Sequence, residues 1–189
     1  MTEQTITITV DVKELLTGFI PKLAKQYMAL GGLAEELKGT ELTLNVDVSG
    51  QVYGYHIKDG VDFDVKEGAL DNPMVQLGIS LETMEKLADM KNIDMLINLQ
   101  GQLSKQKNDV IKGLKGTGVF QLKNGDGAPA EITATFNGAE TPKATLSLAM
   151  EDAAAVSSGQ ESPVQLFMNG RLGIEGDMAF AMGLQPLLT

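Results

Sequence analysis

The sequence predicts an α+β fold in which an antiparallel-rich sheet is covered by helices. Apolar residues alternate with period two in several short segments, of which Leu42 to Val48 is a clear example. Ser49-Gly50 and Asp59-Gly60 follow two of these segments and are typical of tight hairpin turns. Other stretches carry apolar residues at helical spacing. Strands joined by hairpins, with helices between groups of strands, are typical of this class.

The first elements are a strand and a long helix. Residues 5–12 alternate and predict the strand. Asp11, with Glu14 three residues later, forms a capping box that predicts the start of an amphipathic helix. Pro21 predicts a kink in this helix because proline lacks the amide hydrogen of a helical hydrogen bond. Gly31-Gly32 interrupts the helix, which resumes after it.

Four strands follow the helix, each with one inward-facing set of apolar side chains. These sets are Leu42, Leu44, Val46 and Val48; Tyr53, Tyr55 and Ile57; Val61, Phe63 and Val65; and Val75, Leu77 and Ile79. Next, the sequence predicts a helix through Met84 and Leu87, a short apolar run over residues 95–99, and a lysine-rich helix around residues 105–115.

The last quarter of the chain, residues 164–188, predicts a strand, an Asn169-Gly170 turn, a second strand and a helix that begins at Asp177. The helix is apolar nearly all round. Met178 and Met182 lie one turn apart on one side, and Phe180, Leu184 and Leu187 lie on another. Such a helix needs apolar cover on both sides. We expect core on one side and a partner or a ligand on the other.

A repeated motif predicts an internal duplication. Residues 37–40 read Leu-Lys-Gly-Thr, and the same four residues recur at 114–117, each time before strands. The predicted halves are residues 1–101 and 102–189, packed as one compact unit because no linker rich in proline, serine or glycine separates them. Chance similarity between two α+β halves is the alternative.

Composition excludes several functions. With 25 acidic and 15 basic residues, the net charge is −10, which disfavours nucleic acid as a partner and strong docking on anionic membranes. A transient membrane contact stays open. The chain has no cysteine, and therefore no disulfide or thiol nucleophile. It has no run of 18 apolar residues and no recognisable signal peptide, so we expect a cytoplasmic protein.

No arrangement of side chains predicts catalysis. His56 is the only histidine and is expected to face solvent, without a nucleophile or an orienting partner in the pattern. Asp47, Asp62 and Asp64 are expected on the outward face of neighbouring strands, without the spacing of a calcium loop. The glycines show no phosphate-binding motif. We therefore expect no enzyme activity, no cofactor and no metal.

Two segments carry a resemblance to a known family. Phe167-Met-Asn-Gly-Arg-Leu-Gly-Ile-Glu-Gly-Asp-Met178, followed by Ala181-Met-Gly-Leu-Gln185, resembles the closing signature of the sterol carrier protein 2 family. That signature is a Phe, a Gly, a basic residue, Leu, Ile, Gly and Met before a helix. Residues 143–159 resemble the strand and helix that precede it. The resemblance is strongest over residues 116–188. In the first half it is weak, where we expect at most a degenerate second copy.

The resemblance implies non-catalytic binding or carriage of an apolar ligand in a cavity closed by the C-terminal helix. The expected ligand is a fatty acyl chain, an acyl-CoA, an isoprenoid or a sterol-like lipid. Together with the Met and Leu residues at helical spacing in the last quarter of the chain, the resemblance gives a set of candidate lining residues: Met150, Val156, Leu166, Met168, Leu172, Met178, Met182 and Leu184. The alternative function is a protein-interaction or dimerisation module, which would bury the same apolar surface in a homo-oligomer. The lysines of residues 105–115 are either a solvated helix face or a contact for a phosphate-bearing ligand or a membrane.

Overall fold

The computed structural model of the protein describes residues 11–31, 33–87 and 104–188. Within these ranges the helical segments are α1 (Val12–Glu14), a π-helical turn (Leu15–Phe19), α2 (Ile20–Gly31), α3 (Leu33–Glu36), α4 (Leu81–Leu87), α5 (Lys105–Gly113), α6 (Met150–Ser157), α7 (Pro163–Met168) and α8 (Met178–Leu188). The strands are β1 (Glu41–Val48), β2 (Gln51–Lys58), β3 (Asp62–Glu67), β4 (Val75–Ile79), β5 (Gly116–Lys123), β6 (Ala130–Phe136), β7 (Lys143–Ala149) and β8 (Gly173–Gly176). The strand predicted from residue 5 and the apolar run of residues 95–99 lie outside the described residues, except that Val12 begins α1.

The eight strands of the described residues form one continuous sheet in the order β3-β2-β1-β4-β6-β5-β7-β8. Two pairs of neighbours, β1 with β4 and β5 with β7, are parallel. The other five pairs are antiparallel. The predicted α+β class with an antiparallel-rich sheet is therefore confirmed.

Both predicted hairpin turns are present. Ser49 and Gly50 have φ values of 50° and 93°, and Asp59 and Gly60 have φ values of 54° and 67°. Two consecutive positive φ values are the property of the turn type that matches the twist of antiparallel strands. The first turn is also held by its own side chain, because Asp47 Oδ1 accepts a hydrogen bond of 2.7 Å from the Gly50 amide.

The helices that contribute to the core pack on a single face of the sheet. The register aligns Tyr55 with Leu44 across β2 and β1, and Leu44 with Val75 across β1 and β4. Further along, Leu77 lies opposite Ala134 on β6. Since side chains alternate between faces along a strand, these apolar residues all lie on the same side. Asp62 and Asp64 of β3 are exposed, so the prediction that their carboxylates face outward is confirmed.

The N-terminal helix changes hydrogen-bond pattern just before Pro21. Asp11 Oδ1 accepts from the Glu14 amide at 3.1 Å, as the capping box predicts. At the end of the π turn, the Ile20 amide bonds to the Leu15 carbonyl. In this pattern the carbonyl of Leu16 would pair with residue 21, but proline has no amide hydrogen. The buried hydroxyl of Tyr55 donates to that carbonyl instead, at 2.5 Å.

The strand predicted from Val164 is wrong, because the segment forms helix α7. Its residues Val164, Leu166 and Met168 alternate with other residues, and that spacing suggested a strand. Pro163 stands in the first turn, where its fixed φ favours a helix, and the Leu166 amide bonds to the Ser162 carbonyl at 3.0 Å. The buried residues of α7 are Pro163 and Leu166, which are three apart as on one face of a helix.

The helix predicted from Asp177 is confirmed. Asp177 Oδ1 accepts from the Phe180 amide at 2.8 Å, so the side chain caps the start of α8. On α8, Phe180, Ala181 and Leu184 are buried. The helix therefore turns one of its two apolar sides toward the sheet.

The two halves of the sheet share a local pattern. In each, a central strand (β1 or β5) has an antiparallel neighbour on one side (β2 or β6) and a parallel neighbour on the other (β4 or β7). The halves meet where β4 pairs with β6. A shared pattern of pairing does not establish a duplication, so the repeat and its boundaries at residues 101 and 102 stay predictions.

None of the helices within residues 11–31, 33–87 and 104–188 combines the length and the apolar character needed to span a bilayer. The expected cytoplasmic location stays a prediction.

Candidate functional site

A cavity of about 220 Å³ lies between the second half of the sheet and the helices that cover it. The described residues that line it are almost all apolar. They are Leu87, Phe120, Leu122, Ile132, Leu146, Leu148, Ala153, Val156, Ser157, Pro163, Leu166, Leu172 and Leu188. The lining therefore comes from three strands, from α4, α6, α7 and α8, and from the loop before β8.

The sheet side of the cavity consists of two cross-strand rows of large apolar side chains. In the first row, Phe120 lies between Ile132 on β6 and Leu146 on β7. In the second row, Leu122 pairs with Leu148. These residues are two apart along their strands, so they share the helix-covered face.

Helix α8 packs against a neighbouring row of small residues on the same face of the sheet. Gly118 pairs with Ala134 and with Ala144, of which Ala144 is 1% exposed. A Cβ atom at Gly118 would lie 3.1 Å from Leu184 Cδ1. The row of small residues therefore lets α8 approach the sheet closely. Phe120, the next residue of β5 on that face, lines the cavity. The cavity thus lies beside the row of small residues, where the side chains of the sheet are large.

The cavity lies between two core clusters. Leu146, Leu166 and Leu172 belong to the main cluster of the second half of the chain. Leu87 and Leu122 belong to a smaller cluster with Ala130 and Met150. Because both groups contribute lining residues, the cavity is the space that remains between them.

Polar side chains contribute little to the lining of the cavity. Ser157 is the one polar side chain among the described lining residues, and its hydroxyl donates to the Ala154 carbonyl at 2.9 Å. Next to the lining, Arg171 Nη2 contacts Asp152 Oδ1, and Arg171 Nη1 lies 3.2 Å from Glu161 Oε1. The hydrogen bonds to Asp152 and Glu161 raise the pKa of Arg171 above its usual value. This cluster links α6 to the loops on both sides of α7.

The comparison with protein families matches this part of the chain. Residues 98–189 match the SCP-2 sterol transfer family. The resemblance to the sterol carrier protein 2 family, predicted to be strongest over residues 116–188, is therefore confirmed. The match does not extend into the first half, so a second family copy there is not confirmed.

Several solved structures of sterol carrier proteins are similar to the chain. The sterol carrier protein domain 2 of Helicoverpa armigera is 27% identical over 51% of this chain and 84% of its own, with a TM-score of 0.38. A ubiquinone synthesis protein, UbiJ-SCP2, is 13% identical over 93% and 95%, with a TM-score of 0.30. Palmitated SCP2L2 from Aedes aegypti is 12% identical over 89% and 90%, with a TM-score of 0.25. None of the curated proteins compared with the chain matches it.

The structure brings three of the eight candidate residues to the cavity of the SCP-2 half. Val156, Leu166 and Leu172 are buried and line it. Met150 is buried in the smaller cluster next to the cavity, and Leu184 is fully buried against the sheet. Ligand contact by these residues stays a prediction.

The other three candidates lie on the outer surface of the SCP-2 half. Met168 is 78% exposed, Met178 45% and Met182 48%. Met168 points outward because its segment is a helix rather than the predicted strand. Met182, however, lines a narrow groove of about 40 Å³ between α7 and α8, which shares walls with the cavity.

Sequence reasoning missed the strand residues of the lining, such as Phe120, Ile132 and Leu148. Their period-two alternation is visible in the sequence, so it could have placed them on the covered face. The alternation could not show which part of that face the helices leave uncovered.

A larger depression of about 690 Å³ lies at the other end of the molecule. It is lined by charged and polar groups, including Asp11 and the ion pair of Lys13 and Glu67 at 2.5 Å. This lining does not suit an apolar ligand.

Other chemical groups do not assemble into a site. His56 Nε2 contacts Glu41 Oε1 at 2.5 Å on the sheet surface. Among the described residues, no three His, Asp or Glu side chains are placed to hold a metal ion. On α5, Lys105 and Lys112 are exposed, whereas partial burial lowers the pKa of Lys107.

Proposed function

We propose that the protein binds or carries an apolar ligand, without catalysis, in the cavity between α6, α7 and β5–β7. The match of residues 98–189 to the SCP-2 sterol transfer family supports lipid binding or transfer as the general function. The observation that carries the specific proposal is an apolar lining around about 220 Å³ in that same half of the chain.

The size and the chemistry of the cavity fit part of a lipid chain. A cavity of about 150 Å³ lined by Leu, Ile and Phe stays dry and accepts benzene. By the same proportion, 220 Å³ accepts about nine carbon atoms. Each methylene that leaves water contributes about 0.8 kcal/mol before the entropy losses of binding.

A longer chain fits if the cavity joins the groove between α7 and α8. Four side chains line both spaces, namely Leu146, Pro163, Leu172 and Leu188. Small movements of these walls would extend the apolar space toward Met182. This gives the exposed Met182 a role at the edge of the site, where an unbranched side chain suits ligands of different shape.

A cavity-filling variant tests the proposal. Ala153 lines the cavity, whereas Ala154 on the same helix is exposed. We expect Ala153→Leu to reduce uptake of the neutral probe N-phenyl-1-naphthylamine at least tenfold, because the larger side chain occupies ligand space. Ala154→Leu adds the same atoms outside the cavity and should bind as the wild type does.

Lipid carried through purification gives a second measurement. Native mass spectrometry and solvent extraction of the wild type should detect bound lipid, and the Ala153→Leu variant should carry less. The proposal is wrong if the wild type neither retains lipid nor takes up the probe, or if both variants bind equally.

A second candidate function is a protein-interaction or dimerisation module. It is favoured by a patch of exposed apolar side chains on α7 and α8, which consists of Val164, Phe167, Met168, Met178 and Met182. Large exposed apolar patches often mark interaction sites. Met182→Asp separates the two functions. If the patch joins two copies, the variant becomes monomeric in light scattering; if it borders the ligand site, the oligomeric state is unchanged and probe uptake falls.

A further inference from the structure

We propose that the cavity selects uncharged apolar ligands over carboxylates of the same chain length, and that Asp152 and Glu161 impose this selectivity. The inference rests on the proposed function and narrows its ligand class to neutral lipids such as long-chain alcohols, isoprenoid hydrocarbons or sterols.

Within the part of the chain that the structure describes, the lining offers no cationic group to a carboxylate. All the described lining residues are uncharged, and the hydroxyl of Ser157 already donates to the Ala154 carbonyl. An anionic head group that enters such a site loses its hydration without gaining a charged partner. A hydroxyl or a hydrocarbon end loses much less.

Charged side chains beside the lining make the site more unfavourable for an anion. Asp152 lies one turn before the lining residue Val156, on the same buried side of α6. Arg171 directly precedes the lining residue Leu172, and Glu161 lies two residues before Pro163. One positive and two negative charges give this cluster a net charge of −1.

The guanidinium of Arg171 is not available to a ligand carboxylate. It binds both Asp152 and Glu161, and the side chain of Asp152 is only 9% exposed. A ligand carboxylate that bound the guanidinium in place of Asp152 would leave this nearly buried carboxylate without a cation, which is strongly unfavourable.

A second nearby cation is engaged in the same way. Lys86 precedes the lining residue Leu87, and its ammonium lies 2.8 Å from Glu82 and 3.3 Å from the Ala128 carbonyl. The net charge of −10 adds a general repulsion of anions.

The test compares two ligands that differ in the head group alone, 1-decanol and decanoate, as competitors of N-phenyl-1-naphthylamine at pH 8. In the wild type we expect decanol to compete at least tenfold better. At 500 mM salt the competition by decanoate should improve relative to 20 mM salt, because salt screens the carboxylates.

The variant Glu161→Gln separates electrostatic exclusion from the lower hydrophobicity of decanoate. Removing one negative charge should lower the ratio of decanoate to decanol dissociation constants by about three- to tenfold. Glu36→Gln removes the same charge from α3, which contributes no lining residue, and should leave the ratio unchanged. Circular dichroism confirms that both variants fold.

The outcomes distinguish this inference from the proposed function. If neither ligand competes in the wild type and the probe does not bind, the proposed function fails. If both compete and decanoate equals decanol, or if Glu161→Gln and Glu36→Gln give the same ratio, the selectivity is overturned while the binding function stands.

Discussion

At the scale of single residues, Tyr55 satisfies a backbone group that the helix cannot satisfy itself. Its hydroxyl reaches the Leu16 carbonyl, which Pro21 leaves without an amide donor. We predict that Tyr55→Phe lowers the free energy of unfolding by about 0.5 to 1.5 kcal/mol at pH 7, because one buried hydrogen bond is lost. Denaturant unfolding followed by circular dichroism measures the change.

The same residue predicts a loss of stability at alkaline pH. Burial raises the pKa of Tyr55 above its usual value, so the folded state keeps the phenol neutral while the unfolded state ionises near pH 10. This contribution to stability is complete below about pH 10 and is lost as pH rises further, by up to about 1.4 kcal/mol per pH unit. The stability difference between the wild type and Tyr55→Phe should therefore shrink between pH 10 and 11. A constant difference over that range would contradict the assignment.

Gly116 shows how one residue fixes the position of α8. Its φ is +139°, and a Cβ atom would lie 2.6 Å from both Phe180 Cε2 and the Pro142 carbonyl oxygen. We predict that Gly116→Ala destabilises the protein by about 1 to 3 kcal/mol, since a residue with a side chain is strained at this positive φ.

Gly113 provides the matched control for this prediction. It ends α5, and a Cβ atom there meets nothing within 4 Å. Gly113→Ala should be neutral or stabilise by up to about 1 kcal/mol, because alanine favours the helix. Similar losses of stability for both variants would show that the close packing at Gly116 is unimportant.

At the scale of elements, the contacts of Arg171 hold α6 to the segments around α7. We predict that Arg171→Met destabilises the protein, because the side chain of Asp152, which is only 9% exposed, loses its charged partner. The loss should be local, so hydrogen exchange should accelerate in α6 and α7 more than in β1 and β2.

Lys123→Met is the control for Arg171→Met. It removes a positive charge from an exposed position at the end of β5. This variant should leave exchange in α6 and α7 unchanged. Equal acceleration across the sheet in Arg171→Met would instead indicate a global effect.

At the scale of the whole molecule, one sheet joins the two halves of the chain. The β4–β6 pair forms the junction, and Val75 of β4 is buried in the cluster that also holds Leu166 and Leu184. We predict that the described parts of both halves unfold in one transition. Tyrosine fluorescence, which reports on Tyr27, Tyr53 and Tyr55, and far-ultraviolet circular dichroism should give the same midpoint. Two separated midpoints would show independent halves.

The sequence by itself determined the features that depend on neighbouring residues. These include the fold class, the hairpin turn at Ser49-Gly50, the cap at Asp177 and the family signature of the last quarter. Each follows from local backbone preference, from the spacing of apolar residues or from a short motif, and none requires knowing which distant segments meet.

The tertiary structure decided what depends on segments that are distant in sequence. Helix α7 replaced the predicted strand because three apolar residues at alternate positions also fit a short helix with Leu166 inward and Met168 outward. The cavity lies beside Phe120, two residues after Gly118 on the helix-covered face of β5. Its position depends on the register of the strands and on the helices that pack against them. The pairing of Arg171 with Asp152 joins residues 19 positions apart. Local patterns show which side chains are apolar, but burial is a property of the surfaces that meet when the chain folds.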